Sequence, residues 1–119
     1  MKKNHYPNLK KLKLLVTIVD RSKATFYVDF LEQYQINMQM ICYGQGTADS
    51  EMLHLLGLAN NEKAVLLSVV KEEVLEELLP TLNEKFNKVK NGKGIAFVVP
   101  FKSVIGVATY QFLVNEKLT

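Results

Sequence analysis

A short glycine-containing stretch, Tyr43–Glu51, divides this sequence into two halves of similar plan. Each half begins with an apolar run typical of a β-strand, continues with the three- and four-residue periodicity of a helix, and returns to a second apolar run. The opening runs, Lys13–Asp20 and Lys63–Val70, agree in pattern much more than in side-chain identity. The order indicates a structural duplication, and it limits the chain to folds built from two β-α-β units.

Periodicity and turn residues predict where each element begins and ends. Ser22 is the predicted N-cap of the first helix, and Thr47 is that of a short helix ending before Gly57. Pro80 is expected to kink or split the second long helix. Strands are predicted over 12–19, 38–43, 63–70, 94–101 and 105–114, and long helices over 23–35 and 72–89.

Two such units, interleaved through right-handed crossovers, form an α+β ferredoxin-like sandwich. This βαββαβ fold places an antiparallel sheet under two helices, here with an extra short helix between the halves and a C-terminal strand. Residues 11–119 are expected to form this single domain, and residues 1–10 a flexible, lysine-rich arm.

Composition and charge exclude several classes of protein. Hydrophobic residues make up 48% of the chain and charged residues 23%, which is typical of a globular domain. The net charge of +3 is too small to indicate nucleic-acid binding. Lys93–Pro100 is similar to an RNA-recognition motif but lacks base-stacking aromatic residues at Ile95 and Pro100. No stretch approaches the ~20 apolar residues of a membrane span, and the single Cys42 fits a reducing cytoplasm.

The sequence contains no catalytic motif and no metal-binding motif. The histidines, His5 and His54, are far apart, and nothing joins either of them to Cys42 or to a serine. One cysteine and two distant histidines also lack the paired spacing of metal ligands. The sequence therefore predicts a binding or sensing protein, not an enzyme.

Two glycine-rich turns are the remaining candidates for a site. Gly44-Gln45-Gly46-Thr47 opens the short helix, and Gly92-Lys93-Gly94 follows several lysines. Backbone N–H groups in such turns can hold a phosphate whose charge lysines neutralise. The candidate residues for binding a small anionic effector are Gly44, Gly46, Thr47, Lys88, Lys90, Gly92, Lys93 and Gly94.

Both faces of the predicted strands are apolar. One set of alternate positions contains Leu15, Val19, Val65, Leu67, Val69, Ala96 and Val98, and the other contains Leu14, Val16, Leu66, Ile95 and Phe97. Two helices cover only one face of a sheet, so the set that faces away from them is expected to form an interface between subunits.

Several segments resemble the P-II nitrogen regulatory proteins. Leu12–Asp20 is similar to that family's first strand, Leu31–Ile41 to its helix end and second strand, Asn91–Pro100 to its B-loop and next strand, and Phe101–Val107 to the start of its C-terminal region. The resemblance covers about residues 11–110. It implies a cytoplasmic homotrimer that binds an adenine nucleotide, ATP or ADP, between subunits and regulates a protein target in nitrogen metabolism.

The chain also departs from the family pattern. Gly46–Asn61 contains no tyrosine, whereas the family's T-loop carries a modifiable one, and Lys93 and Ile95 stand where the family favours an acidic residue and a lysine. Two alternatives stay open. One is a CutA-like metal-binding or stress-related trimer of the same fold, and the other is a ferredoxin-like enzyme subunit such as a small isomerase.

Overall fold

The computed structural model describes residues 12–36, 38–45, 62–89 and 93–102. Its elements are β1 (Leu12–Asp20), α1 (Ala24–Glu32), β2 (Met38–Gln45), β3 (Glu62–Lys71), α2 (Glu72–Lys88) and β4 (Gly94–Pro100). A 3₁₀ turn, Arg21–Lys23, joins β1 to α1. The predicted short helix, the C-terminal strand and the N-terminal arm lie outside the described residues.

The four strands form one sheet in the order β2-β3-β1-β4, and every neighbouring pair is antiparallel. β1 and β3 occupy the centre of the sheet, which explains why their sequences are apolar on both faces. β1 and β2 run in the same direction with β3 between them, and β3 and β4 run in the same direction with β1 between them. This interleaving of two β-α-β units confirms the predicted ferredoxin-like α+β fold.

The hydrophobic core lies between the two helices and one face of the sheet. The fully buried members of this core are Leu15, Val19, Tyr27, Leu31, Ala64, Leu66 and Leu78. Two buried hydroxyl residues, Thr17 and Ser68, occupy the same face of the central strands. Burial raises the pKa of Tyr27 to about 12, so its phenol stays protonated at neutral pH.

The opposite face of the sheet has no helix packed on it from the described residues. We call this surface the open face, and it consists of Leu14, Val16, Ile18, Met38, Met40, Cys42, Val65, Leu67, Val69, Ile95, Phe97 and Val99. The residues align in three cross-strand rows of four, for example Phe97, Val16, Leu67 and Met40. The open face is therefore apolar from one edge of the sheet to the other.

The pairing register corrects the predicted grouping of the strand faces. Leu67 pairs with Val16 and Ser68 with Leu15, and partners in an antiparallel pair project to the same face. Val65, Leu67 and Val69 therefore share the open face with Leu14 and Val16, and Leu66 belongs to the core. The prediction was wrong because alternation within one strand does not determine which alternate set of another strand lies beside it.

The predicted N-cap of α1, Ser22, is wrong. Ser22 lies inside the 3₁₀ turn, and α1 begins at Ala24 with Lys23 in the N-cap position and no side-chain capping bond. The backbone N–H of Ala24 bonds to the carbonyl oxygen of Arg21 instead. The 3₁₀ turn thus supplies a backbone acceptor where a serine hydroxyl was expected.

Pro80 does not split α2, which is helical from Glu72 to Lys88. Proline removes one backbone donor, so the carbonyl oxygen of Glu76 loses its helical partner. Both Pro80 and Glu76 are exposed, and water can satisfy that oxygen. One residue further along, the Thr81 hydroxyl donates to the carbonyl oxygen of Glu77 at 2.9 Å.

Candidate functional site

Four of the eight candidate residues lie outside the described residues: Gly46, Thr47, Lys90 and Gly92. The other four lie at one end of the sheet, where β1 and β2 end and β3 and β4 begin: Gly44, Lys88, Lys93 and Gly94. We call this the glycine end of the sheet. The predicted positions therefore share an end, as a single site requires.

Gly44 and Gly94 nevertheless lie on opposite edges of the sheet. Gly44 belongs to β2 and Gly94 to β4, and the strand order places β3 and β1 between them. Three interstrand spacings of about 4.8 Å separate the two edges by roughly 14 Å. One subunit alone does not bring the two glycine turns together.

Gly44 is a strand residue, which corrects the predicted start of the turn. β2 continues through Gln45, and Gly44 pairs with Lys63 of β3. A Cβ at position 44 would meet nothing within 4 Å, and the backbone there is outside the left-handed region. The described residues therefore impose no steric need for glycine at this exposed position.

Gly94 has a structural explanation. A Cβ built at this position would collide with the carbonyl oxygen of Ile18, and it would lie 2.8 Å from Val19 Cγ1 and 3.2 Å from Phe86 Cε1. Only glycine allows β4 to pair with β1 while α2 packs over both strands. The need for glycine here comes from packing and gives no evidence of a ligand.

The two described lysines of the site differ in their surroundings. Lys88 lies in the last turn of α2, where a positive charge interacts favourably with the helix dipole, and its Nζ lies 3.3 Å from Glu84 Oε2. Both of these side chains are largely exposed, so the pair contributes little stability. Lys93 is exposed immediately before β4. Both lysines can therefore approach an anion from solvent.

A buried ion pair at the glycine end was missed from the sequence. Lys63 Nζ donates to Asp20 Oδ1 at 2.9 Å, and their side chains are 7% and 3% exposed. The two residues are direct partners across β1 and β3, and Gly44 is the next position along the same row. Charged residues at the ends of apolar strands were the available signal, but pairing them requires the register.

A cation–π pair at the same end was also missed. The guanidinium carbon of Arg21 lies 4.3 Å from the centroid of the Tyr43 ring. Tyr43 is 53% exposed although it is a large aromatic residue, and it immediately precedes Gly44. The glycine end therefore carries an exposed guanidinium and an exposed aromatic ring beside a candidate residue.

The cavity at the opposite end of the sheet has the wrong chemistry for an anion. It measures about 300 Å³ and is lined by Gln33, Tyr34, Gln35, Glu73, Val74 and Glu77. Gln35 has a φ of 57°, in the left-handed region, where the chain turns from α1 towards β2. The two carboxylates would repel a phosphate, so this cavity does not compete with the glycine end as an anion site.

The described ranges contain no group of three or more His, Cys, Asp or Glu residues placed to hold a metal ion. Cys42 is free and exposed on the open face. No helix in the described part of the chain is both long enough and apolar enough to cross a membrane.

Comparison with solved structures relates the fold to one group of proteins. The chain superposes on CPII from Thiomonas intermedia K12, bound to ADP, AMP and acetate, with a TM-score of 0.63 and 20% sequence identity, over 83% of this chain and 92% of that one. A second structure, CPII described as a nitrogen regulatory PII-like protein and bound to ADP, AMP and bicarbonate, gives 0.62 and 18% over 81% and 96%. A PII-like signaling protein from Thermus thermophilus gives 0.55 and 20% over 73% and 82%.

No model of a known protein family and no curated protein matches the sequence. At about 20% identity the structural likeness establishes the fold. The chain has the fold of the PII-like proteins, and the resemblance predicted from Leu12–Asp20 and the later segments is confirmed at that level.

Proposed function

We propose that this chain is a PII-like signalling protein that binds a small anionic effector between subunits and, without catalysing a reaction, regulates a protein partner. The observation that carries the proposal is its likeness to CPII, a protein seen with ADP and AMP bound. An adenine nucleotide is therefore the first effector to test. A cytoplasmic location and a role in nitrogen metabolism belong to the same proposal.

The open face supports assembly into a homotrimer. Four strands at about 4.8 Å and three rows at about 6.8 Å give an apolar patch of roughly 400 Å². A contiguous patch of that size on a soluble protein usually marks an interface. Met40 and Phe97, on opposite edge strands, are 48% and 47% exposed, so a large part of this apolar surface remains to be buried.

Assembly also resolves the separation of the glycine turns. If subunits surround a closed axis with their open faces inward, the β2 edge of each subunit meets the β4 edge of the next. Gly44 of one subunit then approaches Lys93 and Gly94 of its neighbour, because all three lie at the same end of the sheet. The proposed effector site is this intersubunit cleft.

The proposed site retains all eight candidate residues: Gly44, Gly46, Thr47, Lys88, Lys90, Gly92, Lys93 and Gly94. Exposed Lys88 and Lys93 supply positive charge on one side of the cleft. The unhindered backbone at Gly44 lets a ligand or a neighbouring chain approach closely on the other side.

A thermal-shift screen tests the proposal with AMP, ADP, ATP, bicarbonate and divalent metals, each added alone. A nucleotide at one hundred times its Kd stabilises the folded state by about 2.7 kcal/mol, which should raise the Tm by about 10 °C for a chain of this size. Lys93→Ala should reduce this shift without lowering the Tm of the free protein, whereas Lys71→Ala, at the other end of the sheet, serves as the charge-matched control.

Stabilisation by a metal with no response to any nucleotide would contradict the proposal and favour the metal-binding alternative. A nucleotide shift that is identical in the Lys93→Ala variant would retain nucleotide binding but remove Lys93 from the site.

A further inference from the structure

Arg21 and Tyr43 form a preorganised surface at the carboxyl ends of two parallel strands. Arg21 directly follows β1 and Tyr43 is near the end of β2, with β3 between these strands. The Arg21 side chain must therefore reach across β3 to place its guanidinium 4.3 Å from the Tyr43 ring. Ala64 is the β3 residue between Val19 and Tyr43, and its small side chain leaves room for this crossing.

The charge of Arg21 is not neutralised by a carboxylate within the described part of the chain. The adjacent Asp20 pairs with Lys63, and the ion pairs among the described residues do not include Arg21. The ring covers one face of the planar guanidinium, so the N–H donors along its edge still point outward. Stacking on an aromatic ring fixes the side chain at little cost to its hydrogen-bonding capacity.

We propose that Arg21 is an anion-recognition residue of the effector site, held in position by Tyr43, and that it binds the phosphate group of the effector. The guanidinium edge matches a phosphate in a bidentate arrangement, which a lysine cannot reproduce. Tyr43 also connects this group to the predicted site, because the next residue is Gly44. The inference rests on the proposed function and adds a residue outside both glycine turns.

Isothermal titration of the full-length protein with ADP and with adenosine tests the assignment. Arg21→Gln should weaken ADP binding at least about tenfold, because a charge-assisted pair to phosphate is lost, and should leave adenosine binding unchanged. Arg21→Lys should restore only part of the affinity. Tyr43→Leu should weaken ADP binding by about threefold or more, while Tyr43→Phe, which keeps the ring, should bind as the wild type does.

Lys23→Gln is the matched control, since it removes a positive charge from the same 3₁₀ turn without touching the ring. Equal losses in Arg21→Gln and Lys23→Gln would show a general charge effect and overturn the assignment. ADP affinity unchanged in Arg21→Gln would overturn it while leaving the proposed function in place. A wild-type protein that binds neither ADP, pyrophosphate nor bicarbonate would overturn both.

Discussion

The Thr17 hydroxyl offers a sharp test of the core described above. Thr17 is fully buried on the helix-facing side of β1, between Leu66 and Ala96, and its Oγ1 has no hydrogen-bond partner among the described residues. A buried polar group without a partner costs about 1–3 kcal/mol. Valine has nearly the same shape and no hydroxyl, so Thr17→Val should stabilise the protein by about 1 kcal/mol or more.

Urea unfolding measures this effect. For a chain of this size, with an m-value of about 1.5 kcal/mol/M, a gain of 1 kcal/mol raises the midpoint by about 0.7 M and the Tm by about 4 °C. The m-value should not change. Because Thr17 faces the helices and not the open face, the gain should not depend on protein concentration.

Ser68→Ala is the control for Thr17→Val. Ser68 is also fully buried on the same face, but its Oγ lies 3.2 Å from Gln39 Oε1 and donates to it. Removing that hydroxyl should destabilise the protein by about 1 kcal/mol, the opposite sign. A Thr17→Val variant less stable than the wild type would refute the reasoning, because it would mean that the hydroxyl has a partner.

Three further predictions concern packing, a buried charge and pH. Gly94→Ala should destabilise the fold by about 2 kcal/mol or more in urea unfolding because its Cβ overlaps the neighbouring strand, whereas Gly44→Ala, with open space around it, should change stability by less than about 0.5 kcal/mol. Lys63→Met should cost about 3 kcal/mol in the same assay, because it leaves the Asp20 carboxylate buried without this ion pair, and a neutral result would contradict that account. The pKa of Tyr27 is raised from 10.0 to about 12, so its contribution to stability is fully present below pH 10 and is lost as the pH rises towards 12; Tyr27→Phe should flatten that decline in pH-dependent unfolding, and an unchanged decline would count against it.

The local elements could be predicted from the sequence because their signals are local. The apolar stripe of α2 placed the helix within one residue of its observed end at Lys88. The apolar run of β1 and the duplicated order of elements were sufficient for the ferredoxin-like fold. Ser22 failed because a 3₁₀ turn competes with an N-cap for the same backbone groups.

The site was less predictable because it depends on contacts between distant residues. The glycine turns were identified, but only the strand order shows that Gly44 and Gly94 lie on opposite edges. The Arg21–Tyr43 contact likewise spans two elements with a strand between them, and no spacing along the chain encodes it. The strand register, which sequence alternation leaves undetermined, decided both the membership of the open face and the Asp20–Lys63 pair.

Sedimentation velocity with simultaneous detection of protein and nucleotide tests the central claim most directly. At micromolar concentration, ADP absorbance should move with a species of three times the 13.5 kDa chain mass. Leu67→Asp places a charge at the centre of the open face, so it should dissociate or unfold this species and release the nucleotide. A stable wild-type monomer, or a monomeric variant that still carries ADP, would contradict the account of an effector site built between subunits.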